Sequence, residues 1–248
     1  MRTKFLKYFI ILIISIFLLL IYLSTIGLET DKFNNQIKNK VIQINKNFDL
    51  ELNKVNFKLD LFNFKIKVNT IGTTFFYSKK PLSLETIETE ISLNSLLNKK
   101  IVSSKIKIAS KTILLSDLIN FVSEQNNSLE LLIIKKMIKN GFITINLDIN
   151  FDEKGKIKND YLLSGIIKKG KIKLLNSNIL ENINFKFSIK NDNYLFNNIK
   201  FEKNNINFIS EKLAIKKKEN IFFITGTIKN EKSLLKQEFL EYVNLKLE

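Results

Sequence analysis

The stretch from Ile143 to Phe151 reads ITINLDINF and alternates apolar and polar side chains without a break. A period of two places successive residues on opposite sides of a β-strand, so the pattern predicts a strand with one apolar and one polar face. The four residues at 152–155 read DEKG, and their glycine favours a hairpin turn there. The return strand is predicted to hold Ile157, Tyr161 and Leu163, with a bend or bulge at Gly165.

The same alternation recurs along much of the chain and predicts a long antiparallel meander. Turn-forming clusters such as residues 190–193 (KNDN) separate the predicted strands. Strands of about 10–12 residues would span roughly 35–40 Å. The other predicted strands lie at 48–52, 55–61, 64–68, 87–93, 100–110, 172–174, 183–189, 194–201, 206–208, 213–215 and 221–225.

Apolar residues at spacings of three and four predict a few helices around these strands. Thr30 is the predicted N-cap of the first, and Ser116 caps a second that runs to about Val122. Ser128 is predicted to cap a third helix, with Gly141 as the glycine that follows its C-terminus. A helical turn at 92–97 and a last helix at 231–242 complete the prediction.

The N-terminus carries a stretch long enough to cross a membrane. Residues 8–28 contain no charged side chain and would span roughly 30 Å as a helix, the thickness of a bilayer core. Arg2, Lys4 and Lys7 precede this stretch and Glu29 and Asp31 follow it, which predicts a cytoplasmic N-terminus and an exported remainder. A signal peptide is the alternative, but its apolar core is shorter and it ends at a small-residue cleavage site.

The composition excludes several classes of function. The chain has 248 residues and no cysteine or histidine, which excludes thiol nucleophiles, imidazole bases and zinc sites built on these ligands. We therefore expect no enzyme, no cofactor and no metal site. The net charge is +16, but Arg2 is the only arginine, and the lack of a second one argues against nucleic-acid recognition.

These patterns predict a mainly β protein with a few helices. An N-terminal transmembrane helix (1–29) precedes an α+β segment (30–140) and an antiparallel β-meander with a C-terminal helix (141–248). Long strands with one apolar face must close into a barrel, stack as a sandwich, or form a curved groove whose inner face is filled by lipid chains. The candidate lipid-facing residues are Ile143, Ile145, Leu147, Ile149, Phe151, Ile183, Phe185, Phe187 and Ile189.

Two stretches carry a resemblance to a known family. Residues 91–110 (ISLNSLLNKKIVSSKIKIAS) join a strand, an SLxxLL turn and a second alternating strand, and residues 151–157 (FDEKGKI) lead into the return strand. This order resembles the AsmA-like envelope proteins, including the TamB and YhdP types. The resemblance implies a curved β-groove capped by short helices, anchored in the inner membrane with its main domain in the periplasm. Its implied partners are phospholipid acyl chains and other envelope proteins, and its implied role is phospholipid transport or envelope biogenesis.

Two other functions remain open at this point. One is a lipopolysaccharide-transport subunit with a single anchor and a β-jellyroll, which predicts a compact sandwich without the two mid-chain helices. The other is a scaffold that binds envelope partners through exposed strand edges and moves no lipid.

Overall fold

A computed structural model describes residues 2–94, 103–125, 128–152, 156–158, 160–174, 178–191, 193–218 and 221–230. The fold is mainly β, with a large curved antiparallel sheet and an apolar N-terminal helix, which confirms the predicted fold class. The helices in the described chain are α1 (Arg2–Thr25), α2 (Asn34–Ile44), α3 (Leu115–Gln125) and α4 (Leu129–Met137). The strands are β1 (Leu28–Thr30), β2 (Phe48–Glu51), β3 (Lys54–Asp60), β4 (Lys65–Ile71), β5 (Thr74–Tyr77), β6 (Lys80–Ser92), β7 (Ser103–Ser110), β8 (Ile113–Leu114), β9 (Ile138–Asn150), β10 (Leu162–Lys173), β11 (Ile179–Lys190), β12 (Asn193–Lys203), β13 (Ile206–Lys218), β14 (Ile221–Gly226) and β15 (Lys229–Asn230).

The sheet is a meander in which most strands pair with their neighbours in sequence. Its order is β1-β3-β4-β6-β7-β9-β10-β11-β12-β13-β14, and all pairings are antiparallel. β7 pairs with β9, so one sheet runs from the first half of the chain into the second. Within the described residues β1 does not pair with β14, and the sheet is therefore open.

The strand register lines up the apolar positions of neighbouring strands. Leu147 of β9 lies between Ile108 of β7 and Leu163 of β10. The same row continues across the sheet through Ile189, Tyr194, Ile215 and Ile224. Because side chains alternate along each strand, the residues two positions away share this side of the sheet. We call this side the apolar face.

A compact core covers one end of the apolar face. β6 pairs first with β5 and then, from Leu84 onward, with β7, so the chain bends here and a small sheet of β2, β5 and β6 folds over. α3 packs across β9 and β6. The side chains of Leu50, Leu84 and Phe121 are buried between these elements. We call this the helical end, and the opposite end, where β9 finishes at Asn150, the open end.

The helix prediction for 129–140 was right in its start and wrong in its end. Ser128 caps α4, since its side chain accepts a hydrogen bond from the Leu131 amide at 3.3 Å. The helix stops at Met137, and Gly141 lies inside β9 with φ of +140°. A β-carbon on Gly141 would lie 2.6 Å from Leu115 Cδ1. The glycine therefore allows α3 to approach the sheet closely and is not a helix terminator.

The bulge predicted at Gly165 lies elsewhere on the same strand. Gly165 pairs in regular register with Ile145 and Phe187, and the irregularity falls between Ile167 and Gly170, where Lys169 has φ of +52°. A β-carbon on Gly165 would lie 2.6 Å from Phe187 Cζ. The glycine is needed because a β-carbon would collide with the Thr144 carbonyl oxygen of β9 and with the Phe187 ring, which packs over the Gly165 backbone.

Several predicted boundaries shift. α1 stops at Thr25, three residues before the predicted end of the apolar span, and Leu28 begins β1. Thr30 ends β1, and α2 follows Phe33 without a side-chain cap. α3 begins at Leu115, just before the predicted cap. The strands predicted at 206–208 and 213–215 are one strand, β13, and 172–174 overlaps the end of β10. The helix predicted at 231–242 lies outside the described residues, as does most of the turn at 152–155.

Candidate functional site

The candidate lipid-facing residues come from two strands that β10 separates. On β9 the predicted residues alternate, and each pairs with a residue of β10: Ile143 with Ile167, Ile145 with Gly165 and Leu147 with Leu163. The same three residues of β10 pair on their other side with Phe185, Phe187 and Ile189 of β11, in that order. Ile149 continues the row on β9, Ile183 continues it on β11 beyond the bulge, and Phe151 forms a bridge with Ile157. The register thus brings the two predicted groups onto one face.

The exposure of these side chains changes along the strands. Ile143 and Ile183 are buried, at 5 % and 6 % exposure. Toward the open end the side chains are half-buried. These half-buried residues are Ile145, Leu147, Ile149, Leu163, Phe187, Ile189, Tyr194, Phe196, Leu213 and Ile215. Among the described residues, α3 covers the face at the helical end and leaves this part open to solvent.

The apolar face is wider than the predicted set. Tyr194 and Phe196 of β12 and Leu213 and Ile215 of β13 extend it toward β14. The Phe185 ring packs edge-on against Phe196 at a centroid distance of 5.7 Å. These strands alternate less strictly than β9, since residues 194–196 read YLF and residues 213–215 read LAI. Their membership of the face depends on register, which the alternation of each separate strand does not specify.

The N-terminal helix joins the sheet at the edge strand β3. Only Ile26 and Gly27 separate α1 from β1, and the amides of both donate to the Tyr22 carbonyl, at 2.9 Å and 3.0 Å. Gly27 has φ of +82°, and a β-carbon there would lie 2.6 Å from the Phe57 carbonyl oxygen. The turn from helix to strand therefore requires glycine.

The register also shows at which end of the sheet α1 leaves. Leu28 pairs with Phe57 and Thr30 with Val55, so the chain followed backward from Thr30 toward α1 runs beside β3 toward Asp60. Asp60 pairs with Lys65, and Lys65 pairs with Ser92, so all three residues lie at the open end of the sheet. α1 also contacts β3 directly. The exit of α1 and the uncovered part of the apolar face are therefore on the same end of the sheet.

α1 is long and apolar enough to cross a membrane. Its segment Phe5–Thr25 has 21 residues and no buried residue, and an 18-residue window within it has a mean hydropathy of 2.7. These properties fit a membrane span and also a signal sequence. Tyr8 and Tyr22 lie near its two ends and are exposed, as expected for aromatic residues at the two surfaces of a bilayer.

The opposite face of the sheet is polar and carries paired charges. Lys105 and Asp148, on neighbouring strands, are 2.7 Å apart, and Lys65 and Glu90 are also 2.7 Å apart. Asp148 is thus on the polar strand face, as its place in the alternation predicts. Within the described part of the chain, no group of three or more carboxylates is arranged to hold a metal ion.

Among the described residues, Asp60 is a carboxylate whose pKa is strongly lowered by its neighbours. Its carboxylate lies 2.8 Å from Lys67 Nζ and accepts hydrogen bonds from the side chain and backbone of Asn63, and these contacts lower its pKa from 3.8 to about 2. The charged form is favoured in the folded state, so its contribution to stability is present above the unfolded pKa and is lost as the pH falls toward 2.

We expect Asp60→Asn to lower the thermal unfolding midpoint at pH 7 because it removes this charged contact. The difference from the unsubstituted protein should shrink as the pH falls from about 4 to about 2. Thermal unfolding of the full chain in detergent, followed by circular dichroism across this range, measures both effects. A difference that stays constant down to pH 2 would contradict the assignment to Asp60.

The candidate site is an apolar surface on long strands, and its chemistry is that of packing against another apolar group. Its polar neighbours lie on the reverse side of the sheet, where they pair with each other. Comparison of the chain with protein-family models, with curated proteins and with solved structures found no match.

Proposed function

We propose that the protein is anchored in a membrane by α1 and holds the acyl chains of lipids on the apolar face of its sheet. The supporting observation is that this face continues across β9, β10, β11, β12 and β13 and that no described residue covers it at the end where α1 leaves. The resemblance to AsmA-like proteins implies the same kind of groove. On this proposal the protein takes part in phospholipid transport or envelope biogenesis.

The strand lengths suit such a ligand. β9 and β13 each have 13 residues, which corresponds to roughly 43 Å of extended strand. Each methylene group of an acyl chain that leaves water contributes about 0.8 kcal/mol. The uncovered part of β9, from Ile145 to Asn150, corresponds to roughly 20 Å of extended strand and offers apolar contact along a comparable length of acyl chain.

The position of α1 supports direct exchange with the membrane. The uncovered part of the apolar face and the exit of α1 lie at one end of the sheet, so an acyl chain leaving the bilayer would meet the open end first. The helical end is filled by Phe121, Leu84 and Leu115, which closes the far side. On the basis of the charges flanking α1, the proposed orientation has a cytoplasmic N-terminus and an exported sheet. The resemblance to AsmA-like proteins implies that the membrane is the inner membrane of an envelope with two membranes and that the sheet is periplasmic.

Lipid analysis of the purified protein tests this proposal. We expect the full chain, extracted in a mild detergent and washed extensively, to retain phospholipid at about one molecule or more per chain. Solvent extraction followed by mass spectrometry gives the identity and the amount. A single-span protein with an unrelated soluble domain, prepared in the same way, shows how much lipid α1 alone retains. Retention equal to this control would contradict lipid binding by the sheet.

An exposed strand edge favours the scaffold function as a second candidate. All six residues of β14 are exposed, including Ile221 at 60 % and Ile224 at 67 %. Edge strands of this kind can pair with a strand from a partner. The lipopolysaccharide-transport alternative predicts a compact sandwich without mid-chain helices, whereas α3 and α4 are present and the described sheet is open. The groove proposal is therefore the one that the geometry supports best.

A further inference from the structure

The turn between β3 and β4 exposes three large apolar side chains at once. Phe62 is 97 % exposed, Phe64 is 65 % exposed and Leu61 is 37 % exposed. These residues and Asn63 form the segment 61–64, which we call the hairpin tip. Clustered exposed aromatic residues are costly in water and commonly mark a surface that meets another apolar phase.

The tip is held firmly in this conformation. Asp60 accepts the Asn63 backbone amide at 3.1 Å and its side-chain amide at 3.0 Å. The Phe64 carbonyl accepts the Leu93 amide at 2.9 Å, and Phe64 has φ of +49°, a left-handed conformation that is unfavourable for a bulky residue. Backbone strain of this kind persists where the surrounding contacts impose it. Here those contacts keep the Phe62 ring in solvent.

The tip lies beside the exit of α1. Followed backward from Thr30, the chain runs beside β3 in the direction of Asp60, and the tip begins at the residue after Asp60. Phe57, which pairs with Leu28, is five residues from Phe62, a separation of at most about 17 Å. Ile26 and Leu28, at the junction itself, are 61 % and 52 % exposed. The exposed apolar residues of the hairpin tip thus lie close to the exposed apolar residues at the end of α1.

The surroundings of the tip suit the boundary between lipid and water. The exposed side chain of Lys58 passes beside Gly27, at the end of α1, and its ammonium group can reach lipid phosphates while its stem lies along apolar surface. Tyr22 lies one turn before the junction and is 46 % exposed. Aromatic and lysine side chains are the residues that concentrate at this boundary.

We propose that the hairpin tip inserts Phe62 and Phe64 into the surface of the bilayer that α1 crosses. This second contact would fix the orientation of the sheet relative to the membrane and hold the open end of the apolar face against the lipid. The inference rests on the anchoring part of the proposed function, because a tip beside a helix outside the membrane would have no bilayer to enter.

Fluorescence of single-tryptophan variants tests the insertion, since the chain contains no tryptophan. The full chain is reconstituted into phosphatidylcholine–phosphatidylglycerol vesicles, with and without brominated acyl chains. Phe62→Trp is the test variant, and its almost complete exposure makes the substitution compatible with the fold. Phe9→Trp reports on α1, and Ile228→Trp, 52 % exposed at the opposite edge of the sheet, is the matched surface control.

We expect brominated lipid to lower the emission of Phe62→Trp at least about twofold, the effect of an indole some 5–10 Å deep at the acyl boundary. Its emission maximum should be shifted to the blue relative to Ile228→Trp, which should lose little intensity. Adding Asp60→Asn to Phe62→Trp should weaken the quenching, because it loosens the turn that presents the ring.

Each contrary outcome has a distinct meaning. If Phe9→Trp is quenched and Phe62→Trp is not, α1 is in the bilayer and the tip proposal is wrong while the anchor stands. If Phe62→Trp is blue-shifted without quenching by brominated lipid, the ring is covered by protein, which also overturns the proposal. If Phe9→Trp is not quenched, the anchor fails and the tip proposal fails with it.

Discussion

Replacing Phe121 by alanine is expected to lower the free energy of unfolding by about 3–5 kcal/mol. Phe121 is 6 % exposed, and its ring packs against two aromatic residues of β5 in the small sheet. Its ring lies 6.0 Å from that of Phe75 and 6.3 Å from that of Tyr77, both within the range of favourable aromatic contact. The substitution leaves a cavity where α3 meets β5, while Leu115 and Ile119 of the same helix remain buried.

Chemical unfolding of the full chain in detergent measures the change. Phe223→Ala is the control, since it removes the same ring from an exposed position on the edge strand β14, away from the hairpin tip, and it should change stability by no more than about 0.5 kcal/mol. Equal effects of the two substitutions would show that the helical end is not a packed core. A loss at Phe121 alone would show that the aromatic cluster stabilises the closed end of the apolar face.

The second large effect concerns lipid retention. Leu147→Glu places a carboxylate in the middle of the apolar face, between Ile108 and Leu163. A charged group facing an acyl chain must be desolvated or neutralised, at a cost of about 3 kcal/mol or more, which corresponds to a loss of about 150-fold in affinity. We therefore expect the purified variant to retain almost no phospholipid, as measured by mass spectrometry of the extracted lipid.

Asn146→Glu provides the matched control for this experiment. Asn146 is the neighbouring residue on β9, is exposed, and lies on the polar face opposite Ser164. The same carboxylate at this position should leave lipid retention unchanged. Equal retention by both variants would contradict the groove. Circular dichroism of both variants separates loss of lipid from loss of fold, and an unfolded Leu147→Glu with no lipid in the unsubstituted protein would favour the scaffold function.

The alternation of residues 143–151 was enough to predict β9 from Ile143 onward and its two faces, because a period of two has one structural solution; the start of this strand, at Ile138, was predicted as helix. The apolar stretch at 8–28 was likewise enough to predict a helix of membrane-spanning length, apart from its last turn. These features are local. They depend on the order of side chains along one segment and on the pattern of backbone hydrogen bonds that each segment permits.

The roles predicted for two glycines were wrong, and they show what the local sequence pattern cannot predict. Gly141 has the spacing of a helix terminator and Gly165 that of a bulge. In the structure Gly141 is required by its φ of +140° and the approach of Leu115, and Gly165 by the Thr144 carbonyl and the Phe187 ring of the neighbouring strands. Such requirements arise from the approach of segments that are distant in sequence. The sequence pattern of one strand does not indicate which side chain of another element will contact its backbone.

By itself, the sequence determined an apolar N-terminal helix, a meander of long two-faced strands and the positions that face inward on each strand. Only the tertiary structure decided that the apolar rows join into one open face, that α3 covers one end of it, and that α1 and the hairpin tip leave from the other. The physical reason is register. Pairing between strands depends on contacts made across the sheet, and a shift of one residue would move every apolar side chain to the opposite face.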